Sequence, residues 1–388
     1  MYRPITMGLM VCGFAIVSLA SGFHPADTSV SLIRVPNQGL QPQVAVDGKG
    51  VVHLIYFKGN PAAGDIFYVR STDGGVTFSA PACVNSQPGS AIATGNIRGA
   101  HMAMGRNGRV HVAWNGSDRA QPKVGAKGLP MLYTRSNDSG ASFEAQRNVI
   151  TKAIGLDGGG SVAADEASNV YVVWHAPEPG KSGEENRRVW ISRSDDEGKT
   201  FAPESPIDAK GSGVCGCCGL RAGAVGDDVF ILYRTATERA NRDSYLLSSK
   251  DHGVSFLGAL LHPWNIKMCP MSSFGFCPMK QCALITWESD GQVYFARVDA
   301  KSGQRTEAVA APGSSKGRKH AVATANNKGE TILVWTEGMG WQRGGAVAWQ
   351  VFDSAGKPTD QRGRSDGVPA WSLVATFAKS NGEFVVAY

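Results

Sequence analysis

The sequence predicts an all-β fold, a β-propeller of four-stranded antiparallel blades, on three observations. One eight-residue motif, Ser-x-Asp-x-Gly-x-(Thr/Ser)-Phe, occurs four times, and its aspartates are spaced 65, 58 and 55 residues apart. A short strand that ends in an aromatic residue precedes each motif and recurs later without it. Gly accounts for 48 of the 388 residues and charged residues for only 19%. This composition favours short strands joined by tight turns over amphipathic helices.

The repeated motif has the chemistry of a structural turn. Its Asp side chain can accept hydrogen bonds from backbone N–H groups across the turn. Its Gly can adopt a backbone conformation that is closed to other residues, and its Phe can anchor the turn in the core. We therefore expect the four motif aspartates to be structural and not catalytic: Asp73, Asp138, Asp196 and Asp251.

The aromatic-ending strands set the number of blades. Each is the second strand of a hairpin, and a further pair of strands carrying the motif completes a four-stranded blade. The aromatic residues predict seven such hairpins: Tyr56, Trp114, Trp174, Tyr233, Trp287, Trp335 and Tyr388. The chain ends before the last hairpin gains outer strands, so we expect residues 29–34 to complete that blade and close the ring. Six blades with one hairpin as an appendage is the alternative.

The first 22 residues resemble an export signal. Arg3 precedes an uncharged apolar stretch from Ile5 to Leu19, and small residues offer cleavage after Ala20 or Gly22. This predicts a secreted or periplasmic protein with one propeller domain over residues 24–388 and no membrane span after cleavage. An uncleaved membrane anchor is the alternative. The net charge of +6 comes without a basic run interleaved with aromatics, so no nucleic-acid partner is predicted.

The motifs resemble the Asp-box, or BNR, repeats of the sialidase (neuraminidase) superfamily. More narrowly, Cys215-x-Cys217-Cys218 followed by Arg234 and by Cys269-Pro270 is similar to exported bacterial sialidase-like proteins of unassigned function. The resemblance implies that the Asp-boxes lie between the outer strands, on the face away from the ligand site.

An active sialidase also needs an arginine triad for the substrate carboxylate, a Tyr–Glu nucleophile pair and an Asp acid/base. The nearest match to the family's first arginine is Arg34, in Arg34-Val35-Pro36, but it lies 22 residues before Tyr56. No Tyr–Glu pair can be assigned.

Alignment of the hairpins predicts which side chains surround a central funnel. They form a predicted rim of seven residues: His101, Asn115, His175, Arg221, Arg234, Glu288 and His320. Candidates for a catalytic role are Arg221, Arg234, Glu288 and Glu337. The alternative is a water-filled channel whose polar lining serves solubility alone.

Seven cysteines remain after removal of the signal, and an oxidising compartment favours their pairing. Cys277 and Cys282 flank a hairpin turn and are expected to form a disulfide, and a second disulfide is expected from Cys217 or Cys218 to Cys269. No cofactor is predicted from these residues, and the alternative is a soft-metal site for copper. Its ligands would be drawn from Cys215, Cys217, Cys218, Cys269 and Met271.

Together these features predict an exported propeller that recognises a ligand, a glycan or another exported protein, at the central funnel. An exo-α-sialidase-type glycoside hydrolase is the first alternative. A periplasmic copper-handling protein that uses Cys, Met and His side chains is the second.

Overall fold

A computed structural model describes residues 1–2, 29–123, 128–136, 140–238, 240–313 and 317–388. These residues form seven β-sheets, and the innermost strand of each sheet contacts the innermost strands of its two neighbours around a closed ring. The prediction of an all-β propeller with seven blades is confirmed, and the six-blade alternative is wrong. Residues 3–22 of the predicted export signal lie outside the described residues. No helix in the described part of the chain is long and apolar enough to cross a membrane.

Six blades have four antiparallel strands in sequence order, the first innermost. Blades 1 to 3 comprise Leu40–Val46 (β2), Val52–Asn60 (β3), Ala63–Ser71 (β4) and Ala82–Cys83 (β5); His101–Met104 (β6), Val110–Asn115 (β7), Met131–Arg135 (β8) and Arg147–Asn148 (β9); Ser161–Ala164 (β10), Val170–Pro177 (β11), Arg187–Ser194 (β12) and Ser205–Pro206 (β13). Blades 4 to 6 comprise Arg221–Val225 (β14), Asp228–Arg234 (β15), Ser244–Ser249 (β16) and Leu257–His262 (β17); Gly275–Pro278 (β18), Cys282–Ser289 (β19), Gln292–Asp299 (β20) and Val309–Ala310 (β21); Arg318–Ala325 (β22), Thr331–Glu337 (β23), Gly345–Phe352 (β24) and Pro358–Val368 (β25). Single 3-10 turns occupy Pro36–Gln38, Arg106–Gly108 and Glu184–Asn186.

The seventh blade closes the ring. It contains Ala375–Ala378 (β26), Phe384–Ala387 (β27) and the N-terminal strand Val30–Ile33 (β1), in the order β1-β27-β26. The predicted closure by residues 29–34 is confirmed, but the blade has three strands, and β1 pairs parallel to β27. The reason is direction. Strand β1 leads into β2, just as the fourth strand of each complete blade leads into the next blade. In an antiparallel blade the fourth strand runs in the same direction as the second. With no third strand between them, the two meet in parallel.

The core lies between blades. Second strands such as β7 and β11 are buried on both sides, which explains their nearly continuous apolar sequences. In blades 2 and 3 the closing aromatic also ties its blade to the segment that enters it. The indole N–H of Trp114 donates to the carbonyl of Ser90 at 3.3 Å, and that of Trp174 to Ala153 at 3.2 Å.

The Asp-box turns join the third and fourth strands of their blades. In the first, Asp73 accepts hydrogen bonds from the backbone N–H groups of Val76 and Thr77, and Ser71 accepts one from Gly75. The same contacts recur around Asp196 and Asp251. Asp138 lies outside the described residues.

The boxes also connect neighbouring blades. Gly198, at φ 76°, lies so close to Tyr133 of the preceding blade that a Cβ would collide with the tyrosine hydroxyl. Phe201 of the same box stacks edge-on against that ring, with centroids 4.8 Å apart. The Gly is therefore required both by its backbone angle and by the space available.

Removal of the closing strand tests its role. A chain that begins at residue 35 leaves the edge of β27 unpaired, so we expect a lower melting temperature and aggregation compared with a chain that begins at residue 29. Differential scanning fluorimetry and size-exclusion chromatography measure both. Equal stability of the two chains would contradict the closure.

The Asp196 turn predicts a pH dependence. Burial alone raises the pKa of this carboxyl, but hydrogen bonds from Thr200 and Ser194 outweigh it and lower the pKa from 3.8 to about 2. Because the folded pKa lies below the unfolded one, the ionised carboxylate stabilises the protein above pH 3.8, and this stabilisation is lost as the pH falls to about 2. Urea unfolding of Asp196→Asn should show lower stability at pH 7 and a flatter decline below pH 4. The exposed neighbour variant Asp195→Asn should retain the wild-type profile.

Candidate functional site

The central channel is wide and opens on one face only. The seven innermost strands enclose a cavity of about 1190 Å³ that reaches the exposed turns between first and second strands, such as Gly48 and Asn107. This is also the face of the box turns, and we call it the box face. Most of the wall consists of small or apolar side chains. A polar exception is Arg221, whose Nη1 donates to Oε1 of Gln43 at 2.6 Å.

Residues 93–99 close the other end of the channel, and we call this segment the plug and this side the plug face. Asn96 Nδ2 donates to the carbonyl of Ser372 in the seventh blade at 2.8 Å. Ile97, only 4% exposed, lies against Gly159 and Gly219 at the entrances of blades 3 and 4. A cavity of about 30 Å³ is left beneath the plug, which is room for a water molecule or two.

The sequence did not reveal the plug. The plug's one signal in the sequence is the length of its connection. Residues 84–100 form the longest of the blade-to-blade connections, and Gly95 and Gly99 lie within the plug.

Except for Arg221, which lines the channel, the predicted rim residues are brought to this closed end, where most are buried. His101 Nδ1 lies 2.7 Å from Ser161 Oγ, and His175 Nε2 lies 3.0 Å from the carbonyl of Cys218. Asn115 donates to the carbonyl of Gly158 at 2.9 Å. Burial lowers the pKa of His175 and of His320 to about 3, so both imidazoles are neutral at physiological pH. These side chains hold blades together and face no open funnel.

Arg234 and Glu288 are also enclosed. Arg234 is 1% exposed, and its guanidinium donates to Ser272 Oγ at 2.6 Å, to the carbonyl of Glu288 at 2.7 Å and to the carbonyl of Arg242. The Glu288 carboxylate accepts the backbone N–H of His320 at 2.8 Å. Burial raises the pKa of Glu288. Arg221 lies separately in the channel, so these arginines do not converge on one substrate position.

The remaining candidates from the sialidase resemblance lie apart from the axis. Glu337 accepts a hydrogen bond from the Trp335 indole at 2.8 Å and pairs with Arg318 and Arg364 at 3.5 and 3.4 Å. Arg34 stacks over the ring of Tyr388 at 3.9 Å. Each group therefore already has partners within the protein.

Four cysteines meet on the plug face between blades 3, 4 and 5. Cys217 and Cys269 form a disulfide with Cα atoms 6.3 Å apart, and Cys215 and Cys218 are buried free thiols. Cys215 Sγ lies 3.1 Å from Cys218 Sγ and 3.5 Å from Cys217 Sγ. Burial alone raises the pKa of Cys218, but the Cys215 hydrogen bond, the Arg234 charge and the Ser272 donors outweigh it and lower that pKa.

The disulfide bears on the copper interpretation. The Sγ atoms of Cys215, Cys217 and Cys269 lie within 4.8 Å of one another. A soft metal would bind these sulfurs as thiolates. Cys217 and Cys269 cannot be thiolates as long as they form a disulfide with each other. The methyl group of Met271 lies beside Gly95 of the plug.

The expected Cys277–Cys282 disulfide is wrong, because both are free cysteines. The register pairs Cys277 with Leu284, two residues beyond Cys282. Such diagonal neighbours lie roughly 7–8 Å apart, whereas bridged Cα atoms are usually about 4.4–6.8 Å apart.

A pair of tryptophans, one exposed and one buried, occupies the plug face at blades 6 and 7. Trp341, in the loop after β23, is 61% exposed and stands edge-on to Trp371, with ring centroids 4.7 Å apart at 88°. Trp371 precedes β26 and has φ 64°, which is a strained conformation for a bulky residue. The sequence carries no signal for this pair, since the repeats predict strands and the two residues lie on loops of different blades.

Comparison with solved structures finds an arabinanase and two sialidases with a similar fold. An α-L-arabinanase from Penicillium chrysogenum, determined with arabinobiose, is 13% identical with a TM-score of 0.54, covering 84% of this chain and 98% of that one. The Hadza microbial sialidase Hz136 is 14% identical with a TM-score of 0.50, covering 84% and 74%. The NanB sialidase from Streptococcus pneumoniae is 8% identical with a TM-score of 0.51, covering 79% and 67%.

No protein-family model matches the chain, and no curated protein matches it in sequence. A Dyadobacter fermentans protein of unknown function is similar in structure, at 14% identity and a TM-score of 0.51 over 80% of this chain and 94% of that one. At these identities the similarities show a shared fold, which agrees with the predicted sialidase-like propeller.

The plug predicts a sensitive glycine. In Gly159→Ala the new Cβ would collide with the backbone carbonyl of Ile97, so the plug must shift. We expect a destabilisation of about 1–3 kcal/mol, as is typical of overpacking, measured by urea unfolding. The control is Gly48→Ala at the channel mouth, where a Cβ would meet no atom within 4 Å. Equal stabilities for the two variants would show that the plug is not packed as described.

Proposed function

We propose that the chain is an exported recognition protein that binds a glycan on the plug face, at the pair formed by Trp341 and Trp371. The observation that carries the proposal is a large aromatic ring held in solvent beside a second ring with strained backbone. The proposal keeps the predicted class of function. It moves the binding position from the funnel, which the plug closes, to the loops around it.

Exposure of Trp341 is a cost that binding can recover. A large apolar ring is less stable in water than buried against other apolar groups. An exposed ring on a fixed support therefore marks an interaction site. The apolar C–H face of a sugar ring packs against an indole. Gln342 and Arg343, the two exposed residues that follow Trp341, supply an amide and a guanidinium for sugar hydroxyl or carboxylate groups. The Nε of Arg343 donates to the carbonyl of Gly338 at 3.1 Å.

The support is rigid because Trp371 is tied to the plug network. Its carbonyl accepts a hydrogen bond from Gln41 Nε2 at 2.8 Å, and the same amide donates to Ala93 at the start of the plug. Ser372 accepts from the backbone N–H of Gln41 at 3.2 Å. Tertiary contacts therefore hold Trp371 in its left-handed conformation, and strain of this kind accumulates at binding sites.

Glycan binding is also favoured over glycoside hydrolysis. The structural neighbours are named as an arabinanase and sialidases, which supports a sugar as the ligand class. The candidate catalytic groups Arg234 and Glu288 are buried and hydrogen-bonded within the protein. For a recognition role, these two residues need only hold together the blades on which the tryptophans are carried.

A glycan array that carries sialyl and arabinofuranosyl oligosaccharides tests the proposal. We expect binding by the wild-type protein and at least tenfold weaker binding by Trp341→Ala, since a central aromatic anchor is typically worth about 2 kcal/mol or more. The matched control is Leu257→Ala, which removes a 78% exposed apolar side chain from the outer strand of blade 4.

Two results would contradict the proposal. Wild-type protein that binds no glycan, or Trp341→Ala with unchanged affinity, removes the aromatic pair as the site. Turnover of a fluorogenic sialoside by wild-type protein would instead support the hydrolase alternative. Because Arg234 is wholly buried, its substitution would test folding and not that activity.

A further inference from the structure

The four cysteines of the plug face form a continuous path from the interior to the surface. Cys215 and Cys218 are 0% and 2% exposed, whereas Cys217 is half-buried and Cys269 is exposed. Cys215 is the link, because its sulfur lies 3.1 Å from Cys218 and 3.5 Å from the disulfide sulfur of Cys217. A dithiol thus lies in contact with a disulfide, and one partner of that disulfide is open to solvent.

The surroundings hold this arrangement in place. A turn joins the two buried thiols, with the Cys218 N–H donating to the Cys215 carbonyl at 3.3 Å. Gly216, inside that turn, donates to Glu184 at 2.7 Å. Ser272 donates to the Cys218 sulfur from its backbone N–H at 3.5 Å and from its hydroxyl at 3.4 Å. Donors of this kind stabilise a thiolate, which is the reactive form of cysteine.

We propose that this cluster is a thiol–disulfide relay. In it the buried Cys215/Cys218 dithiol reduces the Cys217–Cys269 disulfide, and the resulting surface dithiol reduces a disulfide on a second molecule. The substrate class is an accessible disulfide, carried either by a small molecule or by another exported polypeptide.

The internal transfer needs two exchanges. Cys215 gives its proton to the Cys218 thiolate, and its own thiolate attacks the sulfur of Cys217. A Cys215–Cys217 bond forms, the Cys217–Cys269 bond breaks, and Cys269 leaves as a thiolate. Cys218 then attacks Cys215, which forms the Cys215–Cys218 disulfide and releases Cys217, and the proton of Cys218 passes to the new surface dithiol. Two electrons move outward and no external reagent is consumed.

The external step starts at Cys269, the exposed sulfur. Its thiolate attacks the substrate disulfide to form a mixed disulfide, and one substrate thiol leaves. Cys217 resolves the mixed disulfide, restores the Cys217–Cys269 bond and releases the second substrate thiol. The protein then holds both pairs as disulfides. The substrate has gained two electrons, one proton from the surface dithiol and one proton from water. An external dithiol reverses the sequence.

Disulfide mapping tests the relay. Wild-type protein with the Cys217–Cys269 bond formed and the Cys215/Cys218 pair reduced is mixed with oxidised glutathione, quenched with acid, alkylated and mapped by mass spectrometry. We expect a Cys215–Cys218 disulfide to appear with release of two glutathione thiols per chain. A parallel sample with a disulfide-scrambled exported polypeptide shows whether polypeptide disulfides are also accepted.

Variants separate a relay from direct oxidation of the buried pair. In Cys218→Ser the transfer should stop at the Cys215–Cys217 bond with Cys269 released, and in Cys215→Ser the Cys217–Cys269 bond should persist. The double variant Cys217→Ser/Cys269→Ser should oxidise its buried pair at least tenfold more slowly than wild type. The matched control is Cys83→Ser, which removes an exposed thiol on the outer strand of blade 1. Circular dichroism checks that each variant is folded.

Three results would overturn the relay. These are a wild-type buried pair that stays reduced, a double variant that oxidises at the wild-type rate, and anaerobically purified protein with stoichiometric copper on reduced cysteines. The last would support the copper interpretation. The relay does not depend on the glycan proposal, so Trp341→Ala should exchange disulfides at the wild-type rate.

Discussion

Pairing between the first and the last strand holds the ring closed, and the packing of every blade depends on that closure. Each blade buries both faces of its second strand against neighbours, so no blade has a complete core of its own. Val30 to Ile33 pair with Phe384 to Ala387. The backbone N–H of Val35 donates to the carbonyl of Tyr388, and that of Tyr388 to the carbonyl of Ile33, which extends the pairing to the plug face. The terminal strands therefore protect the edge that would otherwise expose the core of the first and last blades.

Closure also explains how the two faces differ. On the box face the chain turns tightly within each blade, and the Asp-boxes lock those turns onto the preceding blade, as Gly198 and Phe201 do against Tyr133. On the plug face the longer connections cross between blades, and one of them reaches over the axis. The channel is consequently open where the turns are regular and closed where the connections are long. Polar residues at the closed end, such as Arg234 and His175, form hydrogen bonds that join neighbouring blades.

Both functional proposals fall on those connections. The tryptophan pair joins a loop of blade 6 to the entrance of blade 7, and the cysteine cluster joins the entrances of blades 4 and 5. Regular strands hold these loops at fixed separations. Fixed loops can present a binding surface to a ligand, and they can keep the four sulfur atoms in contact. Binding and disulfide exchange could then proceed on one face without sharing a residue.

The sequence by itself determined the propeller, its seven blades and its closure, because those depend on local patterns that repeat: box turns, aromatic-ending strands and hairpin glycines. It also determined that Arg234 and His175 would gather at one end of the ring, since each directly follows the closing aromatic of its blade. Only the tertiary structure decided that this end is closed, because residues 93–99 meet Gly159 and Ser372 only once the ring has formed. The same holds for the contact of Trp341 with Trp371 and of Cys215 with the Cys217–Cys269 bond. These contacts join loops from different blades, and no local pattern in the chain records which loops will meet.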